Sequence, residues 1–267
     1  MIKLLLSDVD GTLVRSDKSL APSTVDAVHA LHDAGVHFAV TSGRPPRGME
    51  MLVEPLSLAA PLAGFNGGLV VDPEMDVLEE HTVPADVIPR AIEILERFDL
   101  SVWMYRGADW LVRDPDGPHV AHESRTVRFA PTVVDGFEET VGVAKLVGVS
   151  DDHDAVAIAA ATAREEIGEH VSAWRSQSYY LDITHPAANK GAVAQFLARR
   201  YELAVDEIAT IGDMPNDVLM FAHSGLSIAM GNANDDVQKA AQRVTTSNDD
   251  DGFAEAVHRY VLGHAGV

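Results

Sequence analysis

The chain alternates short apolar runs with stretches of helical periodicity. Residues 2–6 are apolar apart from Lys3, and the run stops at Ser7-Asp8-Val9-Asp10-Gly11. An unbroken apolar run ended by turn residues predicts a strand buried on both faces, as in the middle of a parallel sheet. Pro22 then opens a helix on which Val25, Val28 and Leu31 recur at helical spacing, and Gly35 stops it. A second buried strand at 36–40 ends in Thr41-Ser42-Gly43-Arg44. Pro45 and Pro46 predict another helix, to about residue 54, and a third strand at 62–65 ends in Asn66-Gly67-Gly68. Strands and helices alternating through short links predict a right-handed parallel arrangement.

From Leu69 the pattern changes. Residues 69–71 and 77–78 flank the turn sequence 72–76, which reads as a hairpin. A helix at 84–98 places Val87, Ala91, Ile94, Leu95 and Phe98 on one face. A hairpin at 101–113, a strand at 145–149, an Ala-rich helix at 155–167 and strands at 171–174 and 179–183 follow. The βα rhythm returns with a helix at 190–201 and a strand at 208–212 that runs into Asp213-Met214-Pro215-Asn216-Asp217. A short helix at 218–223, a strand at 226–230 ending in Gly231-Asn232-Ala233, and helices from 235 and 252 complete the chain. The expected fold class is α/β. A doubly wound, Rossmann-like parallel core (1–82 and 185–267) is interrupted by an inserted α+β unit (83–184) with an antiparallel sheet. Asp249-Asp250-Asp251 reads as a solvated helix cap.

Composition narrows the function. A net charge of −21 argues against a nucleic-acid binder, which needs Lys and Arg for phosphate contacts. It leaves a salt-adapted host open. Cysteine is absent, so neither disulfides nor thiolate metal sites exist. No apolar run reaches the roughly 18 residues of a membrane span, and the N-terminus lacks a secretory signal pattern. A cytoplasmic protein without nucleic-acid or membrane partners is expected, and monomer and homodimer both stay open. The lysines are few, Lys3, Lys18, Lys145, Lys190 and Lys239, so each placement is informative.

Four loops that follow apolar runs carry chemistry. Asp8 and Asp10 are two residues apart, so in a continued strand they share a face. Carboxylates brought together repel unless a proton or cation lies between them. Ligands of open α/β sheets bind at such strand ends. Ser42 offers an anion a hydroxyl, and Gly43 lets backbone N–H groups approach it. Lys190 sits at a helix start, where a cation is disfavoured unless an anion pairs with it. Asp213 and Asp217 follow Gly212 at a strand-to-turn junction. Each loop alone is as readily a turn, a cap or a solvated residue.

Taken together, the four loops resemble the motifs of the haloacid dehalogenase superfamily of phosphatases. Asp8-Val9-Asp10-Gly11-Thr12 resembles the first, Ser42 within Thr41-Ser42-Gly43-Arg44 the second, Lys190 the third and Gly212-Asp213-Met214-Pro215-Asn216-Asp217 the fourth. The insertion between the second and third motifs, with the turns at 66–68 and 231–233, resembles the Cof-type subfamily. Val9 and Pro215 depart slightly from the usual motifs, and neither removes a reacting group.

The resemblance implies a magnesium-dependent phosphatase acting on small phosphorylated metabolites, sugar phosphates foremost. Asp8 would be the nucleophile that forms an aspartyl-phosphate, and Asp10 the acid/base. Asp8, the Asp10 carbonyl, Asp213 and Asp217 would hold Mg2+, with Asp217 ligating or standing behind the ligands. Ser42, Gly43, Lys190 and Asn216 would bind the phosphate, and Lys190 would offset the charge of Asp8. The insertion would be a cap that contacts substrate, with Trp103, Tyr105, Arg106, His119, Arg125 and Arg175 as candidate lining. A phosphomutase would use the same intermediate. A receiver-type signalling protein fits less well, because its acceptor acid would follow the third strand, where Asn66 stands. A non-catalytic phospho-ligand binder would be expected to lack a reacting group.

Overall fold

In the computed structural model, which describes residues 1–263, the first strand, β1 (Leu4–Asp8), is buried along its whole length. Helices cover both of its faces, which is why its apolar run does not alternate. α1 (Pro22–Asp33) has proline in its first turn, where the missing N–H costs nothing, and leads to β2 (His37–Thr41). The α-helix expected after Pro46 is instead a 3-10 segment, Pro46–Leu52. Gly48 lies within it, and a Cβ there would stand 3.2 Å from the Cβ of Val127, so close packing and poor helix propensity coincide. β3 (Leu62–Gly64), β4 (Leu69–Val71) and β5 (Val77–Glu80) follow.

The chain then builds α2 (Ile88–Arg97), β6 (Ser101–Arg106), β7 (Asp109–Val112), α3 (Val120–Val127) and β8 (Thr132–Val133). Next come β9 (Val143–Val149), α4 (His153–Ile167), β10 (Ser172–Gln177) and β11 (Tyr180–Thr184). It returns through α5 (Lys190–Arg200), β12 (Ile208–Gly212), α6 (Val218–Phe221), β13 (Leu226–Ala229), α7 (Asp235–Ala240), β14 (Arg243–Val244) and α8 (Gly252–Ala256).

The larger sheet has eight strands in the order β14-β13-β12-β1-β2-β3-β4-β5. Its strands are parallel from β14 to β3, and the β4–β5 hairpin adds an antiparallel edge. β1 lies between β2 and β12, so the strand order reverses at its carboxyl end, where α/β sheets bind ligands. The predicted doubly wound α/β core is therefore present.

The second sheet has six strands, β10-β11-β9-β6-β7-β8, antiparallel except where β7 meets β8. α2 and α4 bury its outer face through Ile88, Ile94, Leu95, Val156 and Ala160. Its inner face carries Trp103, Tyr105, Trp110 and Val147, which share one apolar cluster with Leu5, Val9 and Phe65 of the first sheet. The sheets are thus packed over the carboxyl end of β1. α3 is unpredicted: residues in the left-handed region bound it on both sides, His119 at φ 61° and Arg128 at φ 62°.

Candidate active site

β1 delivers Asp8 to the end of the sheet, and Gly11 turns the chain away at φ +86°. A Cβ on Gly11 would stand 2.5 Å from Oδ2 of Asp213, so only glycine allows the two loops to close. A Cβ on Gly212 would fall 2.4 Å from Cγ of Asp217. The Thr12 hydroxyl donates to Asp213 Oδ1 at 3.0 Å, and Asn232 Nδ2 donates to the Gly11 carbonyl at 2.9 Å.

Lys190 Nζ donates to Asp8 Oδ1 at 2.5 Å and to Asp217 Oδ1 at 2.6 Å, and all three side chains are buried. Two carboxylates explain a lysine at the start of α5 against the sign of the helix dipole. Asp217 Oδ2 accepts the backbone N–H groups of Asp213 at 2.9 Å and Met214 at 2.8 Å. Both Asp217 oxygens are therefore engaged, one on Lys190 and one on its own loop.

Charge is unbalanced here. Oxygens of Asp8, Asp213 and Asp217 all lie within 4.8 Å of one another, with one ammonium among them. Burial, with the charges of Asp217 and Asp213 added, pushes Asp8 well above the usual carboxylate range despite Lys190. Burial and the Asp217 charge push Asp213 up to about 6. Burial disfavours the Lys190 charge, but Asp217 and Asp8 outweigh it and hold it above the usual lysine range.

A hard cation fits this set. Asp8 Oδ2 is buried with no hydrogen-bond partner, Asp213 stands beside it, and every donor is oxygen. Asp217 holds Lys190 and the Asp213 loop, so it suits the supporting role better than direct ligation.

Asp10 has a different environment. Arg44 grips it with Nε on Oδ2 at 2.7 Å and Nη2 on Oδ1 at 2.6 Å, and Lys18 adds a bond to Oδ1 at 2.8 Å. Burial opposes its charge, but the hydrogen bonds and charges of Arg44 and Lys18 hold it below the usual range. The two acids of the first loop are thus moved in opposite directions. Arg44 and Lys18 had no role in the sequence reading; the scarcity of lysine was the one available signal.

Ser42 is buried, and its hydroxyl oxygen accepts the Arg44 N–H at 3.1 Å. Gly43 is exposed beside it. Asn216 Nδ2 donates to Asn66 Oδ1 at 3.1 Å, leaving Asn216 Oδ1 buried and without a partner. Asn66 in turn donates its N–H to the Ser42 carbonyl at 2.8 Å, so the second and fourth loops meet.

The lining candidates separate. Trp103 and Tyr105 are buried on the inner sheet face. Arg106 pairs with Glu139, and His119 stacks on Tyr179 at 4.0 Å and meets Asp151 at 2.8 Å. Arg125 turns back onto the Ala121 carbonyl at 3.2 Å, and Arg175 is exposed on β10.

The sequence matches the family described as haloacid dehalogenase-like hydrolase across residues 5–257. The chain belongs to the haloacid dehalogenase-like hydrolase family. One solved haloacid dehalogenase-like hydrolase, from Bacteroides thetaiotaomicron, shares its fold with a TM-score of 0.90 and 28% identity, over 97% of this chain and 99% of that one. A 5-amino-6-(5-phospho-D-ribitylamino)uracil phosphatase from Bacillus subtilis is 26% identical, over 96% of this chain and 97% of its own. An HMP-PP phosphatase from Yersinia pestis is 27% identical, over 87% of this chain and 85% of its own. These relatives agree with the expected enzyme class, phosphoric monoester hydrolases. No helix among the described residues is long and apolar enough to cross a membrane.

Proposed function

We propose that this haloacid dehalogenase-like hydrolase is a magnesium-dependent phosphatase for small phosphorylated metabolites, sugar phosphates foremost, working in the cytoplasm. Residues 83–184 would act as its cap and the two flanking segments as its catalytic core. One observation carries the reading: Asp8 is held by Lys190 through one oxygen, while its other oxygen is buried and unpaired.

Asp8 attacks phosphorus in line with the ester oxygen, and the P–O bond to the alcohol breaks as the bond to Asp8 forms. Asp10 gives its proton to the departing oxygen. It then takes one from the water that attacks the aspartyl-phosphate, releasing phosphate and restoring Asp8. Asp10 can carry that proton only after leaving the Arg44 fork. Ser42, Gly43, Lys190 and Asn216 hold the phosphate oxygens in this reading. Asp8, Asp213 and the Asp10 carbonyl would hold Mg2+, with Asp217 behind them. The bound cation would offset negative charge on the phosphoryl group. The inner face of the second sheet keeps water away from the transfer.

The test is phosphate release with Mg2+ present, first from an aryl phosphate and then from a panel of phosphorylated metabolites. Silence across the panel with every divalent ion tried would sink the proposal.

A further inference from the structure

A second polar cluster lies under the aromatic inner face of the six-stranded sheet, and the phosphoryl chemistry leaves it unused. Lys145 on β9 and Asp182 on β11 form an ion pair of 2.8 Å with side chains 11% and 12% exposed. Glu123 on α3 approaches the Tyr105 hydroxyl at 3.4 Å. Asp182 Oδ1, the Tyr180 hydroxyl and Trp110 Nε1 are all buried without a hydrogen-bond partner. Buried polar atoms are nearly always paired, so three orphans on one sheet face point to a missing ligand.

The cluster adjoins the catalytic loops on the side of Asp10. Arg44 grips Asp10 along one edge of its guanidinium, and its Nη1 reaches the Thr126 carbonyl of α3 at 3.4 Å. Glu123 is on the same short helix. Phe65, next to Asn66, lies 5.1 Å from the Tyr105 ring. An alcohol whose oxygen is protonated by Asp10 would therefore extend toward this cluster.

The geometry points to Tyr105, Glu123, Lys145, Tyr180 and Asp182 as the pocket for the leaving alcohol, suited to a neutral, hydroxyl-rich group such as a sugar or alditol and adverse to one bearing a second phosphate or carboxylate. This rests on the phosphatase reading above. Hydroxyls both donate and accept, so neighbouring hydroxyls of one polyol satisfy Asp182 Oδ1, which only accepts, and Lys145, which only donates. The Tyr180 hydroxyl does either. Two acids against one lysine give a second anion nothing to pair with, which is selection by repulsion. Burial raises Glu123 above the usual carboxylate range in spite of Lys145.

Tyr180→Phe and Asp182→Asn test this with three esters: a sugar or alditol monophosphate, the corresponding bisphosphate, and p-nitrophenyl phosphate. Tyr180→Phe breaks no internal hydrogen bond, so its Tm should stay at the wild-type value. Its kcat/KM for the monophosphate should fall about 5- to 10-fold further than for p-nitrophenyl phosphate, the worth of one hydrogen bond. Asp182→Asn removes one negative charge and should narrow the preference for monophosphate over bisphosphate by about 10-fold. If Asp182→Asn does not fold, Tyr180→Phe decides alone. Wild-type substrate ratios in folded variants of an active enzyme overturn the pocket and leave the phosphatase reading intact. A wild-type enzyme that cleaves p-nitrophenyl phosphate but not the sugar or alditol monophosphate overturns the pocket, and one silent across the whole panel with every divalent ion overturns both.

Discussion

Metal-free protein should become more stable on mild acidification, and the Asp213 carboxyl should account for a measurable part of the gain. In the absence of a cation, burial and Asp217 raise Asp213 from 3.8 to about 6. Between those values the folded protein binds more protons than the unfolded chain. Stability is then fully present below the unfolded value and is lost as pH rises through the folded one. For this one buried group the loss is about 3 kcal/mol at pH 7.5 and about 1 kcal/mol at pH 4.5. Asp8 is shifted in the same direction. Asp10, Asp249 and Asp251 have lowered values, so their contribution is lost only at more acid pH. The net charge of −21 also relaxes on acidification, so the comparison must be with Asp213→Asn. Urea unfolding in EDTA, at steps from pH 4.5 to 7.5, should show Asp213→Asn more stable than wild type at neutral pH, by up to about 3 kcal/mol, and by only about 1 kcal/mol at the acid end. Mg2+ at about 1,000 times its Kd should reverse the order, since it adds about 4.1 kcal/mol to the form that binds it. Parallel curves for the two proteins in EDTA would refute the reasoning, because Asp213 would then carry no penalty for its charge.

Asp8→Asn is expected to abolish phosphate release, and acid quenching during turnover should trap phosphate on the wild-type chain but none on this variant. Asp10→Asn should keep the trapped species and lower kcat by roughly 10²–10⁴-fold, the worth of an acid/base group, as read by stopped-flow phosphate release. Lys190→Met strands Asp8 and Asp217 without their shared ammonium and should cost roughly 3–5 kcal/mol in urea unfolding at neutral pH. A loss below about 1 kcal/mol would mean that the buried pair is no stronger than a surface one.

The core was legible because a parallel strand states its burial openly. The runs of β1, β2 and β12 are mostly apolar and almost wholly buried up to the loop where the chemistry begins, and the turn residues mark that point. α3 was not legible. Its segment, Val120–Val127, has no side chain capping its start and few apolar residues, and contact with the 3-10 segment supplies what its sequence lacks. β8 and β14 have two residues each, too few for any periodicity to show. In the site, acids and lysine at strand and helix ends could be found by position. Arg44 could not, since its partners Asp10 and Thr126 are 34 and 82 residues away and only the folded chain brings them together.

That unforeseen arginine decides how the first loop divides its labour. Asp8 and Asp10 leave β1 two residues apart, and strand geometry alone would have treated them as a pair. Asp8 enters a dry pocket with too little positive charge, so it needs a further cation and keeps one oxygen unpaired. Asp10 enters a fork of positive charge that keeps it ionised until the fork opens. The same guanidinium touches α3, so any shift of that helix bears on the fork. In the proposed reaction, proton delivery at Asp10 is thereby tied to the position of the second sheet over the substrate, while the nucleophile is set by the core alone. The residue that distinguishes the two acids also reaches across to the helix beside the second sheet.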